Sequence, residues 1–312
     1  MNKNSRNQIL SILLVSLLIV SCQSNQNKTK VSASIESSPI DSNSSEDDDE
    51  IKAVLDRILI AVGNRDVKEL SALSFDKAII GYTYLKDGTW LNKEFIIQDY
   101  LSNISEIENP IPFSETAIEY NISVSKGRLA TVKLPTVISQ FGVAQTEEIN
   151  HVTMMKEKDQ WKLLSIAWTA HKIPEGEREF NLNLFAEGYA QVWGSNRPEF
   201  VAMFFEEDGV LVVNDGEPAV GRNAITNVAK GFMDAFPDMI VSMDSLVTKS
   251  DKTRFYWTLT GTNNGLNGTG NKVKINGFEE WTLNKDGLIQ ESKGHFDNKE
   301  YERQLKSGTD KK

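Results

Sequence analysis

The chain has 312 residues, one cysteine, three histidines, 44 acidic against 34 basic residues and a formal net charge of -10. A lone cysteine excludes an intrachain disulfide, His151, His171 and His295 do not fall at the spacing of a metal site, and the negative balance disfavours nucleic acid and anionic lipid surfaces as partners. Stability must therefore come from burial, and the chain is long enough for one large core or two ordinary ones.

At the N-terminus Lys3 and Arg6 precede an apolar run from Ile9 to Val20 that only Ser11 and Ser16 interrupt. This is the charged and then apolar pattern of a secretory leader, and the run is too short to span a bilayer. The sequence Ile19-Val20-Ser21-Cys22 resembles the lipobox of bacterial lipoproteins. That resemblance implies removal of residues 1–21 and lipidation of Cys22 as the first residue of the mature chain, whose net charge becomes -12 with the loss of Lys3 and Arg6. Gln23 after the cysteine favours the outer membrane, by analogy with lipoprotein sorting, so the expected location is the bacterial cell envelope. Residues 22–49 are poor in large apolar side chains and run into the acidic stretch Glu46 to Glu50. They read as a disordered tether whose last residues place negative charge before the next helix.

Apolar residues then recur at Ile51, Val54, Leu55, Ile58 and Val62, the spacing of one helix face, and stop at Gly63-Asn64. A short helix over 67–73, a strand over 78–84, a turn at Lys86-Asp87-Gly88 and a third helix through Phe95, Ile96 and Tyr100 follow. Strands over 117–124, 129–138, 147–156 and 161–170, with turns at Lys126-Gly127, Phe141-Gly142 and Lys158-Asp159, complete a unit placed at residues 50–173. Pro174 and Gly176 mark a boundary.

The same order starts again in residues 178–307, ahead of a short tail at 308–312. Phe185, Tyr189, Val192 and Trp193 form a helix face, and Pro198 opens a helix reaching Phe205. A strand over 209–213, a helix over 224–236 stopped by Pro237, and strands over 239–247, 253–260, 273–283 and 288–297 follow. Two copies of one element order imply duplication of an α+β domain. In each copy a curved, mostly antiparallel sheet should wrap around about three helices to make a cone, either filled by side chains or open as a pocket.

The second copy resembles the SnoaL-like polyketide cyclase branch of the nuclear transport factor 2-like superfamily over most of residues 180–306. The resemblance is carried by Trp193, the stretch from Met203 to Val210, Gly221 with Ala224-Ile225, Ala235-Phe236-Pro237-Asp238 and Asp251. It continues through Trp257 to Thr262, Lys285-Asp286-Gly287-Leu288-Ile289, Phe296-Asp297 and Gln304-Leu305. The first copy is similar to the same superfamily through Asp87-Gly88-Thr89-Trp90 and Asp159-Gln160-Trp161-Lys162, and only the fold is carried across to it. The resemblance implies that enzymes of this branch use an acid on the last strand as a general acid/base. It also implies a second acid three residues before Asp297, where this chain departs from the pattern with Gly294.

Period-two alternation sorts the last strand into Lys293, His295 and Asp297 on one face and Ser292, Gly294 and Phe296 on the other. If the first set points inward, His295 and Asp297 make a general acid/base pair; if the second does, binding is favoured over catalysis. A further reading has Asp297 capping or pairing at the strand end. Glu279, between Phe278 and Trp281 in mid-strand, must face solvent or a pocket and is the third catalytic candidate. Asp208 belongs either at the mouth of the cone, as the resemblance implies, or to a helix-to-strand turn. Tyr189, Trp193, Trp257 and Trp281 are candidate aromatic walls for a ligand, or core. Gly265, Gly268 and Gly270 join two strands and do not open a helix, so they imply no phosphate site. No cofactor or metal is expected.

The sequence thus leads to an envelope protein, anchored by Cys22 to the membrane, whose second domain binds a small hydrophobic molecule. One alternative is a cyclase, isomerase or dehydratase that uses His295, Asp297 or Glu279. Another is a structural or protein-interaction module in which the tandem domains pair with each other as a pseudo-dimer.

Overall fold

A computed structural model describes residues 44–108, 110–250 and 252–309; Cys22, the apolar leader, Asp251 and residues 22–43 of the expected tether lie outside them. Helix α1 (Ser44–Asn64) buries Ile51, Leu55, Ile58 and Leu59, the face that the sequence marks. It starts earlier than expected, so residues 44–49 are helical. The acidic run sits in its first turns, where Asp47 lies 2.6 Å and Glu50 3.2 Å from the Lys156 ammonium. A partly buried cation and the positive helix end both favour these acids, which offsets the cost of ordering the segment.

Helix α2 (Val67–Ala72) is capped by Asp66, whose side chain accepts from the Glu69 amide. Strands β1 (Ser74–Lys86) and β2 (Thr89–Ile96) form a hairpin, and α3 (Ile97–Ser105) follows. Phe95 and Ile96, expected in a helix, instead pair with Ile80 and Ile79. The turn decides this: Asp87 and Gly88 both have positive φ, 50° and 75°, the backbone of a hairpin turn matched to strand twist. Strands β3 (Ser114–Ala117) and β4 (Asn121–Ser125) replace a single expected strand, and both pair with β5 (Leu129–Gln140). With β6 (Val143–Glu157) and β7 (Gln160–Lys172) they complete a sheet ordered β2-β1-β7-β6-β5-β3.

After a one-turn 3-10 helix at Glu175–Glu177, α4 (Leu182–Trp193) and α5 (Pro198–Ala202) lead into β8 (Phe205–Val213). Then come β9 (Ala219–Val220), α6 (Arg222–Ala235), β10 (Ile240–Lys249), β11 (Lys252–Thr262), β12 (Lys272–Leu283), β13 (Ile289–Phe296) and α7 (Asn298–Ser307). Their sheet runs β10-β11-β12-β13-β8-β9. In both halves the strand after the paired helices, β1 or β8, runs parallel to the last strand, β7 or β13, while the other pairings are antiparallel. The shared topology is that of two cone-shaped α+β domains.

The core of the second half is aromatic, with Phe185, Tyr189, Phe200, Phe205, Phe236, Phe255 and Trp281 fully buried, whereas that of the first is mainly aliphatic. The halves also touch. The β5–β6 turn inserts Phe141 against Phe204, ring centres 5.1 Å apart. Gly142, with φ +78°, follows where a Cβ would lie 2.7 Å from that of Phe185. Gln191 on α4 donates to the Asn64 side chain at 3.1 Å and to the Phe113 carbonyl at 2.9 Å.

Candidate functional site

The side of β13 that points inward is fixed by its partner. Glu279 stands opposite Gly294 and Trp281 opposite Ser292, and Trp281 and Ser292 are fully buried. Ser292, Gly294 and Phe296 therefore belong to the interior set. His295 is exposed on the outer face against the ring of Phe278, with ring centres 4.9 Å apart. Asp297 caps α7, accepting from the Glu300 amide at 3.0 Å. The expected His295–Asp297 pair is thus outside the cone, because one residue of alternation reverses the face. Asp208 is also displaced: it is exposed on a bulge of β8, where the pairing jumps from Phe205 with Ile289 to Val210 with Glu291.

Glu279 is the acid that the cone contains. One oxygen, Oε2, accepts from the Tyr189 hydroxyl at 3.0 Å, the Trp281 indole at 3.0 Å and the Ser292 hydroxyl at 2.6 Å. The other, Oε1, accepts no hydrogen bond among the described residues. Burial pushes the carboxyl above its ordinary range, and the three donors oppose that shift by favouring the charged form. Burial first, and then the charge of Glu279, hold the Tyr189 phenol well above its usual value, so it stays a donor.

Beside the carboxyl lies a cavity of about 50 Å³, lined by Trp193, Leu211, Phe232, Trp257, Gly294, Phe296 and their neighbours. Two glycines shape it. At Gly277 a Cβ would lie 2.5 Å from the His295 carbonyl oxygen and 2.6 Å from the Trp257 ring, so glycine is required by the neighbouring strand and by the indole together. A Cβ at Gly294 would lie 3.6 Å from Cγ of Glu279, in ordinary contact, so a larger side chain there would grow into the cavity. The missing acid at Gly294 and the acid at Glu279 are thus cross-strand neighbours on one face. Of the four aromatic candidates, Trp193 and Trp257 line the cavity, while Tyr189 and Trp281 hold Glu279 from the core side. The Trp257 indole nitrogen is buried with no partner among the described residues.

The sequence reading assigned no site to the first half, yet it contains a larger cavity, of about 140 Å³, with Tyr100, Glu115, Glu148, Asn150 and Trp168 in its walls. Glu115 Oε1 accepts from the Thr136 hydroxyl at 2.8 Å and the Asn150 amide at 3.1 Å. Burial, and then the charge of Glu115, push Glu148 up to about 8. Burial first, with both acids adding, pushes Tyr100 up to about 12. The available signal was Glu148, Asn150, Val152 and Met154 on alternate positions of one strand, an acid and an amide in line with an apolar face. Among the described residues, no group of three or more His, Cys, Asp or Glu side chains could hold a metal ion.

Residues 183–305 match the family model for SnoaL-like polyketide cyclases. Solved structures similar to this chain include a candidate polyketide cyclase from Bacillus cereus, at 20% identity over 44% of this chain and 87% of that one, with a TM-score of 0.35. A candidate hydroxylase from Streptomyces galilaeus is 21% identical over 40% of this chain and 80% of its own, with a TM-score of 0.34. A nuclear transport factor 2-like protein from Silicibacter pomeroyi is 12% identical over 41% and 98%, with a TM-score of 0.31. No curated protein matches the chain.

Proposed function

From a second half whose residues 183–305 match the SnoaL-like family model, we propose that this protein binds a small apolar molecule, or the apolar end of a larger one, inside that cone with Glu279 as the polar anchor. One observation carries the reading: a buried carboxyl in an apolar cavity has one oxygen fixed by three donors and the other left without a protein partner. Burying an acid without a cation is unfavourable, and the three donors are satisfied by Oε2 alone, which leaves Oε1 open to a ligand. The cavity of about 50 Å³ limits the ligand. A single ring needs about 150 Å³, so the enclosed part of the ligand is an alkyl tip or a methyl-bearing corner.

Titration of the purified chain with alkanols from propanol to octanol, followed by tryptophan fluorescence, tests this. Binding that is weakened by Gly294→Leu, which grows into the cavity, and by Glu279→Gln supports the reading. Unchanged binding in both variants, or none in the parent, overturns it.

A second reading, acid/base catalysis by Glu279, is favoured by the raised proton affinity of this carboxyl together with the open Oε1. Molecules extracted from the purified chain and incubated with it should then turn over. Glu279→Gln should abolish turnover with binding retained, and His295→Ala should leave both unchanged; turnover surviving Glu279→Gln removes this reading.

We further propose that Cys22 is lipidated and holds the protein at the outer membrane of a bacterial envelope. The supporting features are the apolar run and the Ile19-Val20-Ser21-Cys22 sequence. No helix among the described residues is long and apolar enough to cross a membrane. Radiolabelled palmitate should be incorporated by the parent chain and not by Cys22→Ala; equal labelling of the two refutes the anchor.

A further inference from the structure

The cavity of the first half has the size of a single-ring ligand, about 140 Å³ against about 150 Å³ for a cavity that holds benzene. Its walls fall into two kinds. Ile58, Leu59, Ile97 and their neighbours give an apolar floor, and Tyr100, Phe113 and Trp168 add aromatic rings. Into this surface project two carboxyls from different strands, Glu115 on β3 and Glu148 on β6.

Among the described residues neither acid forms an ion pair with Lys, Arg or His. Arg65, the nearby cation, acts on Tyr100. Glu148 is 8% exposed. Glu115 has two donors on Oε1 and, among the described residues, none on Oε2. Burial pushes both carboxyls above the ordinary range; the Thr136 and Asn150 donors oppose the rise at Glu115, and the charge of Glu115 adds to it at Glu148. Two carboxyls without a paired cation thus face aromatic rings.

We propose that this cavity binds a small organic ammonium ion, its charged nitrogen between Glu115 and Glu148 and its apolar body against Tyr100, Phe113 and Trp168. An ammonium ion supplies the positive charge that the acid pair lacks, its N–H groups supply donors for Glu115 Oε2, and the ring faces attract positive charge. A neutral molecule of the same shape would leave the pair without a counter-charge, and an anion would be disfavoured beside two acids. The reading is independent of the second half, whose cavity holds a different acid.

Calorimetric titration of the full chain with benzylammonium, benzyl alcohol and benzoate tests it, because the three share a ring and a size and differ in charge. Benzylammonium should bind about tenfold or more tightly than benzyl alcohol, with no detectable binding of benzoate. Glu115→Gln and Glu148→Gln should each weaken benzylammonium about tenfold, while Glu279→Gln leaves it unchanged. Equal affinity for the amine and the alcohol, or no amine binding, overturns the proposal without reference to any variant. So does an affinity unchanged in a folded Glu115→Gln chain.

Discussion

Single residues in both cones are set by what burial does to a carboxyl. Glu148 titrates at about 8 in the folded chain against 4.5 for a free glutamate. Between these values the folded state holds a proton that the unfolded state has lost, so stability falls as pH rises from about 4.5 to about 8 and is level above. The slope is on the order of 1 kcal/mol per pH unit. Urea midpoints measured across that window should decline in the parent chain and decline less in Glu148→Gln; parallel curves would show that Glu148 is not the group responsible. Gly277 makes a different demand, for space. Gly277→Ala should cost about 1 to 3 kcal/mol, read as a lower denaturation midpoint with altered tryptophan fluorescence, since the added methyl meets the His295 carbonyl oxygen and the Trp257 ring.

Elements place these residues, and the ends of elements reassign some of them. Helix α7 had no counterpart in the expected order, and Asp297, a catalytic candidate on sequence, is its cap. Asp297→Ala should therefore cost about 1 kcal/mol of stability with ligand binding in the second half unchanged. Loss of binding at full stability would return Asp297 to the site. The helix also anchors the sheet it follows: the Gln304 side chain accepts from the Lys274 amide at 2.7 Å and donates to its carbonyl at 3.0 Å. Strand β2 shows the opposite case, where Phe95 and Ile96 follow a positive-φ turn into a hairpin against the local helical spacing. Turn geometry and edge pairing outweigh a weak propensity there.

The whole molecule joins two similar units through dissimilar surfaces. The β5–β6 turn of the first half enters the aromatic core of the second, and Gln191 of the second bridges Asn64 and Phe113 of the first. The described residues fall in one compact unit. Urea unfolding should accordingly be a single transition by circular dichroism and by fluorescence, and Phe141→Ala should lower the unfolding free energy by about 2 kcal/mol or more, read as a lower midpoint of that transition. Two separate transitions in the parent chain would show that the halves are energetically independent.

The sequence by itself determined the α+β class and most of the repeated succession of helices and strands, because alternation, helix spacing and turn residues are local patterns; it missed β2, the break between β3 and β4, and α7. It also marked the apolar leader and Cys22. It left two alternating faces of β13 equivalent, because period two defines faces without saying which is inside; the buried pairing of Trp281 with Ser292 chose between them. For the same reason Glu279 was legible as a candidate and His295 was not dismissible. The carboxyl pair of the first half was out of reach altogether. Glu115 and Glu148 lie on strands that do not pair with each other, each facing β5 from opposite sides at Ile138 and Thr136. Only the sheet order brings them to one cavity, and only burial there raises their hold on a proton.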